Sequence, residues 1–110
     1  MKANNKLRYG GGGMLTLVPV RYTNGRPGII AETAGGEPVA TLSVNLPYDD
    51  MKQDELAVKE WSENEGAADT LINAGIIDPR AHRSVTSGFV QVPVYKLTPL
   101  GHKFVHAERK

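Results

Sequence analysis

The 110-residue sequence predicts an α+β domain: a small antiparallel sheet of about four to five strands with one helix packed on one face. Two observations carry this reading. Short runs rich in Leu, Val and Ile are separated by Gly-, Asn- and Pro-containing turns. A single stretch, residues 65–74, has clear helical spacing. The length allows one small domain, large enough to bury a core of its own.

The elements follow in order. Residues 1–13 form a basic, polar start ending in the run Gly10 to Gly13. Glycine loses more backbone entropy on ordering than any other residue, so this stretch reads as a flexible arm. Met14 and Leu15 follow the run, not the Lys-Ser or Lys-Thr of a phosphate-cradling loop. Met14 to Tyr22 suits a strand, and Pro19, lacking an amide donor, points to an edge or a bulge. Thr23-Asn24-Gly25 supplies a turn. A second strand is expected over Gly28 to Thr33, and Gly35-Gly36 make a second turn.

Pro38 to Leu46 alternates, with Ala40, Leu42, Val44 and Leu46 on the inner face. Leu56 to Trp61 gives a mixed signal, strand or the opening of a helix. In Glu65 to Ala74 the apolar Ala67, Ala68, Leu71, Ile72 and Ala74 recur at helical spacing. Asn64 and Glu65 can cap that helix, Asp69 favours its start, and Gly75 stops it. Asp78-Pro79 reads as a turn. Gly88 to Leu97 is the last strand, with Pro93 again indicating an edge or a bulge. Residues 99–110 read as a polar, basic tail, which leaves 14–98 as the folded domain. The expected core includes Leu42, Val44, Leu71, Ile72, Phe89 and Val92.

The formal net charge of +1 conceals an asymmetry. Residues 1–48 carry +3, residues 49–78 carry −7 and residues 79–110 carry +5. A central acidic block between basic ends can steer partners by the sign of their charge. There is no Cys, which excludes disulfides, thiol chemistry and Cys-ligated metals. No apolar run approaches the roughly 20 residues that cross a bilayer. The first residues lack the apolar core of a secretory signal, so a cytoplasmic location is expected.

No motif marks catalysis. His102 and His106 stand four apart, a spacing that would place both on one helix face, but no HExxH pattern surrounds them. They read as part of the solvated tail. His82, near Ser84 and Ser87, lacks a third group to orient it as a base. The paired carboxylates Asp49/Asp50 and Asp54/Glu55 lie in so hydrophilic a run that both members stay ionised, whereas acid–base work needs one shielded. The segment Tyr48 to Glu55 does not match a divalent-ion loop. No enzyme, cofactor or metal is expected.

Three stretches read together: Thr41 to Pro47 (TLSVNLP); Val58 to Gly66 (VKEWSENEG), running on to Leu71 to Ile77; and Ser87 to Val90 (SGFV) with Pro93-Val94-Tyr95. In this order they resemble a domain-of-unknown-function family of small accessory proteins of plasmids, conjugative elements and phages. The resemblance spans roughly residues 15–98. It implies a mobile-element setting and no established catalytic residues.

With the acidic block, that setting points to a non-enzymatic anti-defence inhibitor, anti-CRISPR-like, which binds a host protein or ribonucleoprotein complex with a basic surface. Its contact residues would be Asp49, Asp50, Asp54, Glu55, Glu60 and Glu63, all expected to lie exposed. The alternative partner is nucleic acid, gripped through the basic ends, with Arg80, Arg83 and Lys103 the sensitive positions. A membrane partner is not expected.

Overall fold

The computed structural model of the protein describes residues 2–4, 14–33, 35–46, 50–60 and 66–106. Among the described residues seven strands and two helices follow one another: β1 Lys2–Asn4, β2 Met14–Arg21, β3 Pro27–Glu32, β4 Pro38–Thr41, β5 Glu55–Ala57, α1 Ala67–Asn73, β6 Ile77–Ser87, β7 Val90–Leu97 and α2 Pro99–His106. The fold is α+β and its strand pairs are antiparallel. It differs from the expected single sheet with one helix. A four-stranded sheet has the order β1-β2-β3-β4, and a three-stranded sheet has the order β5-β7-β6.

The two sheets meet along one seam. Beyond β4 the chain runs on as Leu42-Ser43-Val44. The Leu42 amide donates to the Ile29 carbonyl of β3, while the Val44 and Lys59 amides bond the Ala57 and Leu42 carbonyls. A single bridge pairs Ser43 with Val58. Ser43 is polar yet only 3% exposed. Its Oγ accepts the Ile29 amide at 3.0 Å and lies 2.8 Å from the Tyr22 hydroxyl, so burial leaves it bonded.

The main core follows the period-two pattern of the strands. Leu15 and Leu17 of β2 and Ile29 and Ala31 of β3 turn into one core, which Leu42, Leu56, Val58, Leu71, Ile76, Ile77, Leu97 and Val105 complete. A smaller core of Leu46, Ala57, Val92 and Val94 covers the other face of the β5–β7 pair. Within β7, Val92 and Val94 thus serve one core, while Leu97 serves the other.

Several sequence expectations are corrected here. Lys2–Asn4 is not arm but strand, paired with Met14–Thr16, while the run Gly10 to Gly13 lies outside the described residues. Pro93 stands in the central strand of its sheet, opposite Ser84. The accompanying irregularity falls on the partner strand, in register shifts between Ile77 and Ala81 and between Ala81 and Arg83. Asp78-Pro79 is therefore the opening of a long strand and not a turn. Pro19 lies in β2 beyond the part that β1 pairs, which relieves the missing donor. Phe89 is not in the core at all: it is fully exposed. Val44 and Ile72 are partly buried, whereas Leu42, Leu71 and Val92 are fully buried.

The polar tail is also replaced, because residues 99–106 are helix α2. Thr98 starts it: its hydroxyl oxygen accepts the Gly101 amide at 2.9 Å, and Pro99 occupies the first helical position, where a missing donor costs nothing. Val105 is buried in the main core. Gly101 touches the chain just after α1, where an added Cβ would come 1.9 Å from the Ile76 carbonyl oxygen. Only glycine permits that approach.

Candidate functional site

The acidic block does not form one exposed face. Asp49 and Glu63 lie outside the described residues. Asp50 is exposed, and the Asp54 side chain is 48% exposed, 3.8 Å from the Lys96 ammonium. Glu60 is half-buried and turned inward. Its carboxylate accepts the amides of Gly66 at 2.7 Å and Ala68 at 2.9 Å, satisfying donors that the start of α1 leaves open. Asn64 and Glu65, expected as caps, lie outside the described residues. Burial, with the negative charges of Glu60 and Asp69, pushes the Tyr95 phenol above its ordinary pKa.

Glu55 departs furthest from expectation, since its side chain is 2% exposed. Arg83 grips it as a fork, Nε to Oε2 and Nη2 to Oε1, each at 3.0 Å. The Lys52 amide donates to Oε1 at 3.0 Å, and His82 Nε2 lies 3.3 Å from Oε2. Led by the Arg83 hydrogen bonds, this setting holds the Glu55 carboxyl at a pKa of about 2, well below its ordinary 4.5. The register shift before Arg83 explains how two consecutive residues reach one carboxylate. In a regular strand their side chains would alternate faces, and a bulge brings both to the same side. Arg83, one of the basic residues expected to grip nucleic acid, thus has Glu55 as a counter-charge.

Two features remain on the surface. The first is the β6–β7 hairpin. Ser87 pairs with Val90, leaving Gly88-Phe89 as a two-residue turn, and Gly88 takes φ +62° there. Positive φ at the first central position is what a tight hairpin requires, and glycine takes it at no steric cost. Phe89 projects from the tip with its ring in water. β6 has eleven residues and lies at the edge of its sheet, with no strand on its outer side among the described residues. From Ser84 to Tyr95 the hairpin carries no charge.

The second feature is a cleft of about 540 Å³ between the β2–β3 turn, the segment 44–46, the turn before β5 and the end of α2. Arg21, Arg26 and Lys52 line it, with Leu46, Met51 and Leu56 as apolar wall. Arg21 donates to the Gly25 and Val105 carbonyls, each at 3.1 Å, and Arg26 Nη1 donates to the Leu46 carbonyl at 2.7 Å. His106, also on the cleft, lies on α2 with its ring centroid 4.4 Å from that of His102. Among the described residues no group of three or more His, Asp or Glu side chains is placed to hold a metal ion. No helix among them is long and apolar enough to cross a membrane.

Compared with known proteins, the chain matches no family model, no curated protein and no solved structure. None of the three comparisons links the chain to a family of mobile-element proteins.

Proposed function

We propose that this chain is a binding protein and not a catalyst, and that it docks on a protein partner through the β6–β7 hairpin. The observation that carries this reading is the tip: a fully exposed Phe89 at the end of a hairpin that is uncharged from Ser84 to Tyr95 and whose outer strand has no neighbouring strand among the described residues. Holding an aromatic ring in water is unfavourable, and seating it in a partner's pocket recovers that free energy. An extended segment of the partner adds along Ser84 to Ser87, on the outer strand of the sheet among the described residues, where no charge opposes pairing. Asp50 and Asp54, the accessible members of the acidic block among the described residues, favour a partner with a basic rim. The mobile-element resemblance makes a host defence complex the partner class to test, with the protein as its inhibitor.

The test is a binding and cleavage-inhibition assay with purified defence effector complexes, comparing the natural chain with Phe89→Ser. The natural chain is expected to bind and inhibit. Phe89→Ser should weaken binding at least about tenfold, since a buried aromatic anchor contributes 1–3 kcal/mol or more, with an unchanged melting temperature. Failure to bind any such complex removes the inhibitor reading. Equal binding by Phe89→Ser removes the hairpin as the contact.

A further inference from the structure

We infer that Asn24 is a site of slow chemical modification, gated by the β2–β3 turn: water converts its side-chain amide to a carboxylate through a cyclic imide with the Gly25 nitrogen. Neither the β6–β7 hairpin nor any partner enters into it. Asn24-Gly25 is the one Asn-Gly pair in the sequence. It stands at the exposed tip of the turn, where Gly25 takes φ +87° and the space a Cβ would fill is empty. No side chain therefore shields the Gly25 nitrogen from its neighbour's amide carbon.

The reaction balances without an oxidant or reductant. Hydroxide takes the Gly25 amide proton, and the nitrogen pair forms a bond to Asn24 Cγ. The Cγ–Nδ2 bond breaks, and that nitrogen leaves with a proton from water as ammonia. Water then opens the five-membered imide at either carbonyl. One opening gives aspartate at position 24. The other routes the main chain through the former side chain, as isoaspartate. One water is consumed and one ammonia released.

The turn both prepares and restrains this chemistry. The Arg26 amide donates to Asn24 Oδ1 at 3.2 Å, where negative charge gathers as Cγ is attacked. Against it, the Gly25 amide donates to the Tyr22 carbonyl at 2.8 Å. While that bond holds, the departing proton is kept on an acceptor and the peptide plane cannot swing onto Cγ. Asn24 Nδ2 also donates to Asn45 Oδ1 at 3.2 Å, which steadies the leaving group. Arg21 pins the turn from outside, its Nη1 on the Gly25 carbonyl and its Nη2 on the Val105 carbonyl of α2, each at 3.1 Å. The rate in the folded chain is thus the rate in the open turn scaled by how rarely the turn opens. Isoaspartate, with one more backbone atom, breaks the hairpin closure and with it the tie from Gly25 through Arg21 to α2.

The test is peptide mapping by mass spectrometry of the full chain after incubation in mildly alkaline buffer, folded and in urea, with isoaspartate detected by enzymatic methyl transfer. In urea, position 24 is expected to convert ahead of every other asparagine. The folded chain should convert at the same position, at least about tenfold more slowly. Arg21→Ala should raise the folded rate several-fold and leave the rate in urea unchanged. Asn24→Asp, which carries the product charge without the extra backbone atom, should keep the amide protection of Tyr22 and Gly25, whereas the isoaspartate form loses it. Earlier conversion of another asparagine, equal rates in the folded and unfolded chain, or no conversion of the folded chain at all each overturns the inference. An Arg21→Ala chain that converts no faster than the natural one when folded removes the arginine from the gate.

Discussion

Asp54 and Glu55 are neighbours in the chain and opposites in the fold. Asp54 is half in water, 3.8 Å from a lysine that is itself half exposed. Glu55 is buried, forked by an arginine and approached by a histidine from the far strand of the sheet. Asp54 closes the turn before β5 and Glu55 is the first residue of that strand, and this one step along the chain reverses the role. Asp54 belongs to the surface; Glu55 ties β5 to β6 across β7. A run of like charges in a sequence is therefore not a face until the ends of its elements have been assigned.

Removing the arginine breaks this contrast most severely. Arg83→Ala strands a buried carboxylate with an amide and a half-exposed histidine, and is expected to cost about 3 kcal/mol in chemical denaturation. Arg83→Ala paired with Glu55→Gln should recover part of that loss, since the uncompensated charge is gone.

Acid tests the same link without mutation. Glu55 has a folded pKa below its unfolded value, so its contribution is present above about pH 4.5 and is lost as pH falls towards 2. With screening through the partly exposed Arg83 allowed for, the loss is on the order of 2 kcal/mol. Glu55→Gln should flatten that part of the stability profile.

Glu60 stands between the two extremes, half-buried but bonded to two backbone amides at the start of α1. Glu60→Ala is expected to cost about 1 kcal/mol, the scale of a lost helix cap, and to raise amide exchange first in α1. The smallest effect belongs to the exposed acids. Asp50→Lys with Asp54→Lys should change stability by less than about 0.5 kcal/mol. If Asp50 and Asp54 face a basic partner rim, the same pair should slow association and reduce its dependence on salt.

Strands β2 and β3 and helix α1 were legible because their apolar spacing is regular and their ends carry turn residues. Leu42, Leu71 and Val92 could be placed in the core on the same grounds. The β6 strand was hidden by Asp78-Pro79, which imitates a turn, and by the polar residues of an edge that faces water on one side. The hairpin tip did carry a signal. Gly88-Phe89 lies between Val-Thr-Ser and Val-Gln-Val, the Gly-X pattern of a two-residue turn, and the aromatic character of Phe89 argued misleadingly for the core. The burial of Glu55 had no local signal, because its partner Arg83 is 28 residues away and is delivered by a register shift. The cleft likewise joins turns far apart in the chain. Helix α2 was obscured by Gly101, whose place in a helix makes sense only once the Ile76 carbonyl is seen against it.

That contact carries a dynamic consequence. Thr98 donates its hydroxyl to the Gly75 carbonyl and its amide to the Ile76 carbonyl, while its hydroxyl oxygen holds the Gly101 amide. The end of one helix and the beginning of the other are thus clasped at a single threonine, although their nearest residues, Asn73 and Pro99, are separated by two whole strands. Neither can fray inward without releasing the other's backbone groups to water. The carboxy-terminal turn of α1 and the first turn of α2 should open together, with a common free energy of amide exchange.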